Sequence, residues 1–135
     1  MSAGFSGPPL ARLLDLRDGQ RVWFYNMPDE IEQEIAEYAL ELTIVSVPEE
    51  GVDAAHIFST ECKELSPLIE IVRGNLSPDG QIWVSWPTQS SGIQTDIDDT
   101  AIRELGQSLG LVGTKICAIG DDWEALKLVI RKELR

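Results

Sequence analysis

The chain has 135 residues and a mass of 15.0 kDa, enough for one domain with one hydrophobic core and too little for two. Its 11 Lys and Arg against 23 Asp and Glu give a net charge of −12 and a pI near 4.3, a balance that repels nucleic-acid phosphates and anionic membrane surfaces. The 43% hydrophobic content excludes a disordered acidic tail, no apolar run approaches the roughly 18 residues of a membrane span, and the opening MSAGFSGPPLARLL lacks the charged start and apolar stretch of a signal peptide.

Along the chain, strand-like runs alternate with amphipathic ones. RVWFYN (Arg21 to Asn26) is aromatic-rich and follows the turn signal Asp18-Gly19. Trp23, Phe24 and Tyr25 point to alternate faces, so both faces of this strand need cover, which places it centrally in a sheet. In the helix that follows, Ile31, Ile35, Tyr38 and Leu42 recur at helical spacing. Asn26 or Asp29 is the expected cap, and Pro28 suits the first turn. LTIVSV (Leu42 to Val47) reads as an uncharged β-branched strand, broken by Glu49-Glu50-Gly51. DAAHIFS (Asp53 to Ser59) is a second apolar run. A helix from about Glu61 to Arg73 carries Leu65, Leu68, Ile69 and Val72 on one face, and Ser77-Pro78-Asp79-Gly80 reads as a turn. QIWVSW (Gln81 to Trp86) is the most strand-like segment. A polar loop leads to a helix from about Asp96, its expected cap, to Leu109, with Ile102, Leu105 and Leu109 inward. Two strand-like runs around Gly120-Asp121-Asp122 make an antiparallel hairpin, Val112 to Ile119 against Glu124 to Lys132. Trp123 stands at its mouth. The alternation predicts a mostly parallel sheet between helical layers, ending in an antiparallel hairpin, in a single domain spanning 1–135.

Few residues carry obvious chemistry. Cys62 and Cys117 form neither a disulfide framework nor a CxxC motif, so a cytoplasmic location is expected, and with the single His56 they give no metal-ligand spacing. Cys117, in KICAI, reads as a small buried hydrophobe. Cys62 reads as an inert thiol at a helix start, because only Lys63 is a basic neighbour. A Ser–His pair could be drawn between His56 and Ser59 or Thr60, but no GxSxG elbow exists, and the apolar flanks of His56 favour a structural histidine. Asp98-Asp99 and Asp121-Asp122 read as a helix start and a hairpin turn.

The segments LSPDGQIWVSWP (Leu76 to Pro87) and LGLVGTKICAIGDDWEALKLVIRK resemble the fifth strand and the final hairpin of S-adenosylmethionine-dependent methyltransferases. More narrowly, GFSGPPLARLLDLRDGQRVWFYNMP, IWVSWP and ICAIGDDWEALKLVIRK resemble a bacterial family of small stand-alone domains of unknown function with a methyltransferase-like core. The resemblance covers almost the whole chain and implies a truncated, Rossmann-type α/β sandwich of three layers. Such enzymes need a glycine-rich loop after the first strand, yet the loop here is Asn26-Met27-Pro28-Asp29, without glycine. They also need a carboxylate at the end of the second strand, and here only Glu49 is near. No P-loop is present, and from Val22 through Cys62 there are ten acidic residues and no Lys or Arg, a field that opposes phosphate.

The expected function is therefore a non-catalytic binding or regulatory module without cofactor, acting on a small ligand or a protein partner. The alternative is a divergent methyltransferase that binds S-adenosylmethionine through a non-standard loop. In open α/β sheets ligands bind at the carboxyl ends of the strands. This brings together the loops Asn26 to Asp29, Ser46 to Glu50, Ser59 to Glu61 and Trp86 to Ser91. The candidate ligand contacts are Asn26, Met27, Asp29, Ser59, Thr60, Trp86, Thr88 and Ser90, with Trp86 either a cation–π face or core packing. Only five residues separate LTIVSV from DAAHIFS, too few for the helix and third strand of the usual fold. LTIVSV then lies at a sheet edge. It is paired with a second copy as a homodimer, covered by Met1 to Leu16, or protected by Glu41 and Glu49.

Overall fold

A computed structural model describes residues 9–135. Four helices, α1 (Leu10–Leu13), α2 (Asp29–Glu37), α3 (Cys62–Arg73) and α4 (Asp99–Gln107), surround six strands: β1 (Arg21–Tyr25), β2 (Thr43–Ile44), β3 (Val52–Phe58), β4 (Leu76–Pro87), β5 (Leu111–Ile119) and β6 (Trp123–Ile130). The strands form one sheet in the order β2-β1-β3-β4-β6-β5. The first four run parallel, and β6 runs antiparallel to both β4 and β5. This is the expected three-layer α/β architecture with its terminal hairpin.

Each face of the sheet carries its own core. On one side Ala55, Ile57, Ile82, Val84 and Trp86 pack under Leu65, Ile69 and Val72 of α3 and Ile102 of α4. On the other, Ala54, Phe58 and Trp83 pack under α1 and α2 through Leu10, Leu14, Ile31 and Ile35. β1 is interior but off-centre, between β2 and β3, with Trp23 in the first core and Val22 in the second. The α1 segment is fastened at its carboxyl end. Gln81 Nε2 and Trp83 Nε1 donate to the Leu14 carbonyl at 2.8 and 3.0 Å, and the Lys115 ammonium donates to the Leu13 carbonyl at 2.9 Å. Asp15, in the left-handed region at φ 57°, lies between Lys127 (3.0 Å) and Lys115 (3.4 Å). Burial would raise its carboxyl, but hydrogen bonding and charge from the two lysines outweigh that and hold it below the ordinary value.

Several local expectations change. Leu42 to Val47 is a strand only at Thr43 and Ile44, which pair with Arg21 and Val22. It does lie at the sheet edge, and its Ser46 N–H donates to a Glu50 carboxylate oxygen at 3.3 Å. Of Met1 to Leu16, the described residues from Pro9 onward pack toward β4, β5 and β6 rather than over β2; the remainder of that stretch lies outside the described residues. Ser77 to Gly80 is not a free turn. It bulges within β4, where the partner register steps from Leu76 to Gln81 while β3 advances only from Val52 to Ala54. A Cβ on Gly80 would sit 2.9 Å from the Asp53 carbonyl oxygen and closer still to Leu76, so glycine is required there. Neither Asn26 nor Asp29 caps α2. The cap position is Pro28, without a side-chain bond, and Asn26 turns the chain at φ 55°. Tyr38, expected on the buried stripe, is 39% exposed because α2 ends at Glu37. Cys117 is half-buried on the edge strand β5. Trp123 meets Phe58 edge-on at 4.9 Å and covers the hairpin end. Among the described residues no helix is long and apolar enough to cross a membrane.

His56 is a buried core residue, and its Nε2 lies 2.7 Å from Ser85 Oγ rather than near Ser59 or Thr60. Its ring stacks on Phe58 and Trp83 at centroid distances of 4.5 and 6.2 Å. Burial pushes its pKa down from 6.5 to about 3, so it is neutral in the fold. Below pH 6.5 the unfolded chain takes up a proton that the folded chain refuses until about pH 3, so stability falls as pH falls. Urea titration from pH 7 to 5.5 is expected to show about 1 kcal/mol more loss of stability in the native chain than in His56→Asn, which lacks this proton.

Candidate functional site

The carboxyl ends of β1, β3 and β4 deliver Asn26, Ser59 and Thr88 to one rim of the sheet. Strand order reverses between β1 and β3, and a crevice at such a switch point is where this architecture takes a ligand. Here the crevice is tied across. Tyr25, the last residue of β1, donates its hydroxyl to Glu64 Oε2 at 3.1 Å, and Ser59, just beyond β3, donates to Glu64 Oε1 at 2.6 Å. Glu64 reaches this position from the first turn of α3. Its hydrogen bond, then burial, then its charge push the Tyr25 phenol above its ordinary pKa.

The larger opening lies one strand further along, between the β3–α3 connector and the β4–α4 loop. A cavity of about 690 Å³ is lined there by Thr60, Glu61, Lys63, Pro87, Thr88, Gln89 and the loop from Gly92 to Asp96. The loop is latched to α3 from across the sequence. Asp96 Oδ1 accepts from the Cys62 N–H at 2.8 Å, so Asp96 caps α3 rather than α4. Thr95 Oγ1 donates to the Thr60 carbonyl at 2.7 Å. The cap of α4 is Asp98, which accepts from the Ala101 N–H at 2.8 Å. Thr88 Oγ1 donates to the Asp121 carbonyl at 3.0 Å and lies 3.1 Å from Ser90 Oγ, tying the loop to the hairpin turn. The Cys62 thiol is pushed up by burial and then by Asp96 and Asp98, which keeps it protonated and unreactive.

Of the eight candidate contacts, Thr60 and Thr88 line this cavity, and Ser90 braces it through Thr88 and Asp121. Ser59 is buried beneath the rim on Glu64. Trp86 is 5% exposed and belongs to the core, touching only an acidic hollow shared with Asp98, Asp99 and Glu124. Asn26, Met27 and Asp29 remain at the end of β1, outside the cavity. The loop Ser46 to Glu50 also leaves the rim. β2 stops level with Val22, so the chain turns back early, and Arg21 at the start of β1 holds the Glu50 and Gly51 carbonyls at 3.2 Å. Lys63, Gln89, Gln94 and Asp96 are lining residues that sequence reasoning misses. The available signal for Lys63 is that it ends the base-free stretch. Among the described residues no group of three or more His, Cys, Asp or Glu side chains is placed to hold a metal.

The strand order, the hairpin and the position of the rim define the class as a methyltransferase-like Rossmann-type domain. Solved structures agree. The chain is similar to a precorrin-6y C5,15-methyltransferase from Geobacter metallireducens GS-15 (TM-score 0.56, 12% identity, 90% of this chain on 86% of that one). It is similar to a putative type 11 methyltransferase from Sulfolobus solfataricus (0.60, 14%, 91% on 90%). It is also similar to CalO1, a methyltransferase in calicheamicin biosynthesis solved in its SAH-bound form (0.67, 10%, 91% on 52%). At such identities the likeness concerns the fold alone. The chain belongs to DUF3052, a family described as protein of unknown function, whose model matches residues 11–132. No curated protein matches the sequence.

Asp96 has two separable effects, on the α3 cap and on the Cys62 thiol. Asp96→Ala is expected to cost about 1 kcal/mol in urea unfolding through the lost cap. Asp96→Asn keeps an acceptor, and its expected effect is faster alkylation of Cys62 at fixed pH, read by peptide mass, with little change in stability.

Proposed function

We propose that this protein is a non-catalytic binding module on a degenerate methyltransferase-like fold, with its ligand cleft displaced from the switch point to the ends of β3 and β4. The single observation carrying this reading is the Tyr25–Glu64–Ser59 bridge. It engages with one another the polar groups that line the crevice between β1 and β3, while a cavity of about 690 Å³ opens beside them. Two further features support it. The loop Asn26-Met27-Pro28 has no glycine to let backbone approach a cofactor, and Pro28 has no N–H to offer one. The first turn of α2 then presents Asp29, Glu30 and Glu32, against which an anionic group would be placed. The free thiols of Cys62 and Cys117 suit a reducing cytoplasm.

The second reading, a divergent methyltransferase, is favoured by the fold of the solved neighbours. A homodimer through the β2 edge stays a proposal that rests on exposed Ile44 and Val47, with a ladder of only two residues to extend. Calorimetric titration with S-adenosylmethionine and S-adenosylhomocysteine separates the two functional readings. The expected result is no measurable heat of binding. Micromolar affinity at one site per chain would overturn the non-catalytic reading and favour the enzyme.

A further inference from the structure

The cleft carries charges of both signs in one cavity, and they are not paired with each other. Lys63 stands on its wall with Glu61 and Asp96. Among the described residues, Lys63 takes part in none of the ion pairs within 4.0 Å. Asp96 uses Oδ1 to cap α3, and its second carboxylate oxygen makes no hydrogen bond among the described residues. Gln89 and Gln94 add neutral donors and acceptors, and Ile93, 48% exposed, adds an apolar surface. A ligand without charge would leave the lysine and the carboxylates unmatched. A net anion would meet one cation against two carboxylates, within a chain of net charge −12.

We infer that the cleft takes a small zwitterion, an α-amino acid without net negative charge, with its carboxylate on Lys63 and its ammonium toward Glu61 and Asp96. The size is compatible, since about 690 Å³ lies within the range of small-molecule sites and exceeds the need of one amino acid. Discrimination follows from pairing. Each charged group of the cleft left without its partner weakens binding, so a molecule missing either the carboxylate or the ammonium binds less well. Two negative groups against one positive also rank basic amino acids above neutral ones and acidic ones last. The inference rests on the cleft being the ligand site, and the test keeps the two claims apart.

The full chain, labelled with nitrogen-15, is titrated with L-glutamine, L-lysine and L-glutamate, with Nα-acetyl-L-glutamine and L-glutamine amide as charge-blocked analogues, and with erythritol as a neutral polyol. The expected result is saturable amide shifts at Lys63 and from Ile93 to Asp96. Affinity for L-lysine should be at least that for L-glutamine, and L-glutamate and both blocked analogues should bind about tenfold more weakly or worse. Lys63→Ala should abolish the shifts while the rest of the spectrum stays in place. Equal affinity for a blocked analogue, or saturable cleft shifts from erythritol, would overturn the zwitterion and leave the cleft as a ligand site. No shifts in the cleft from any of the six, up to tens of millimolar, would overturn both.

Discussion

The whole molecule hangs on two strands that must be covered on both faces. In β3 every residue from Ala54 to Phe58 is buried, and in β4 every residue from Gly80 to Pro87. Side chains alternate across a strand, so such a run demands a separate core above and below it. Ile82, Val84 and Trp86 anchor the first core, and Trp83 anchors the second while its ring N–H holds α1 through Leu14. The polar members of these runs are matched inside the sheet. His56 meets Ser85, Gln81 meets Leu14, and no described buried side-chain nitrogen or oxygen lacks a partner. With β3 and β4 fixed, their carboxyl ends at Phe58 and Pro87 fix the two connectors that enclose the cleft.

The opposite constraint acts at the β2 edge. β2 is two residues long and ends level with the second residue of β1. A single turn of 3-10 helix, Pro48–Glu50, brings the chain back to β3 where the usual fold inserts a helix and another strand. The rim consequently loses a whole wall on that side, including the place where a second-strand carboxylate would meet a ribose. The edge itself carries its own protection. The ladder is short, and Glu50 occupies the Ser46 N–H. Loss of the β2 wall and closure of the crevice by Glu64 act together, and what remains open is the space between β3 and β4.

Much of this was legible in residue patterns, and the failures have physical causes. The alternation of apolar runs and the Gly120-Asp121-Asp122 turn identify the mostly parallel sheet and its hairpin, because burial and turn chemistry are local signals. The short spacing between Leu42 and Asp53 identifies the missing unit. Strand length at Leu42 to Val47 was not legible, since β-branched composition says nothing of whether a neighbour is present to pair with; only Val45 is buried there. Ser77 to Gly80 carries every mark of a turn, yet the sheet absorbs it as a bulge because β3 runs alongside. Asp96 illustrates the limit most sharply. Its position before a helix matches a local cap, but its carboxylate serves α3, whose first residue is 34 positions away in sequence, and nothing short of the fold brings them together. Thr60 and Thr88 were found because strand ends are readable. Lys63, Gln89 and Gln94 were missed because exposed polar residues on a helix and a loop have no pattern that marks them as facing one another.

The central claim is that the switch-point crevice is tied by one carboxylate, leaving recognition to the neighbouring cleft. The most direct measurement is a carbon-13 titration of Tyr25 in the folded, tyrosine-labelled chain, alongside Glu64→Gln. The bridge predicts that the Tyr25 phenol ionises above its ordinary value of 10.0, because Glu64 accepts its proton and adds a negative charge, and that Glu64→Gln brings the titration back down. A Tyr25 that titrates at its ordinary value and ignores the substitution would mean that the crevice is open and contradict the account.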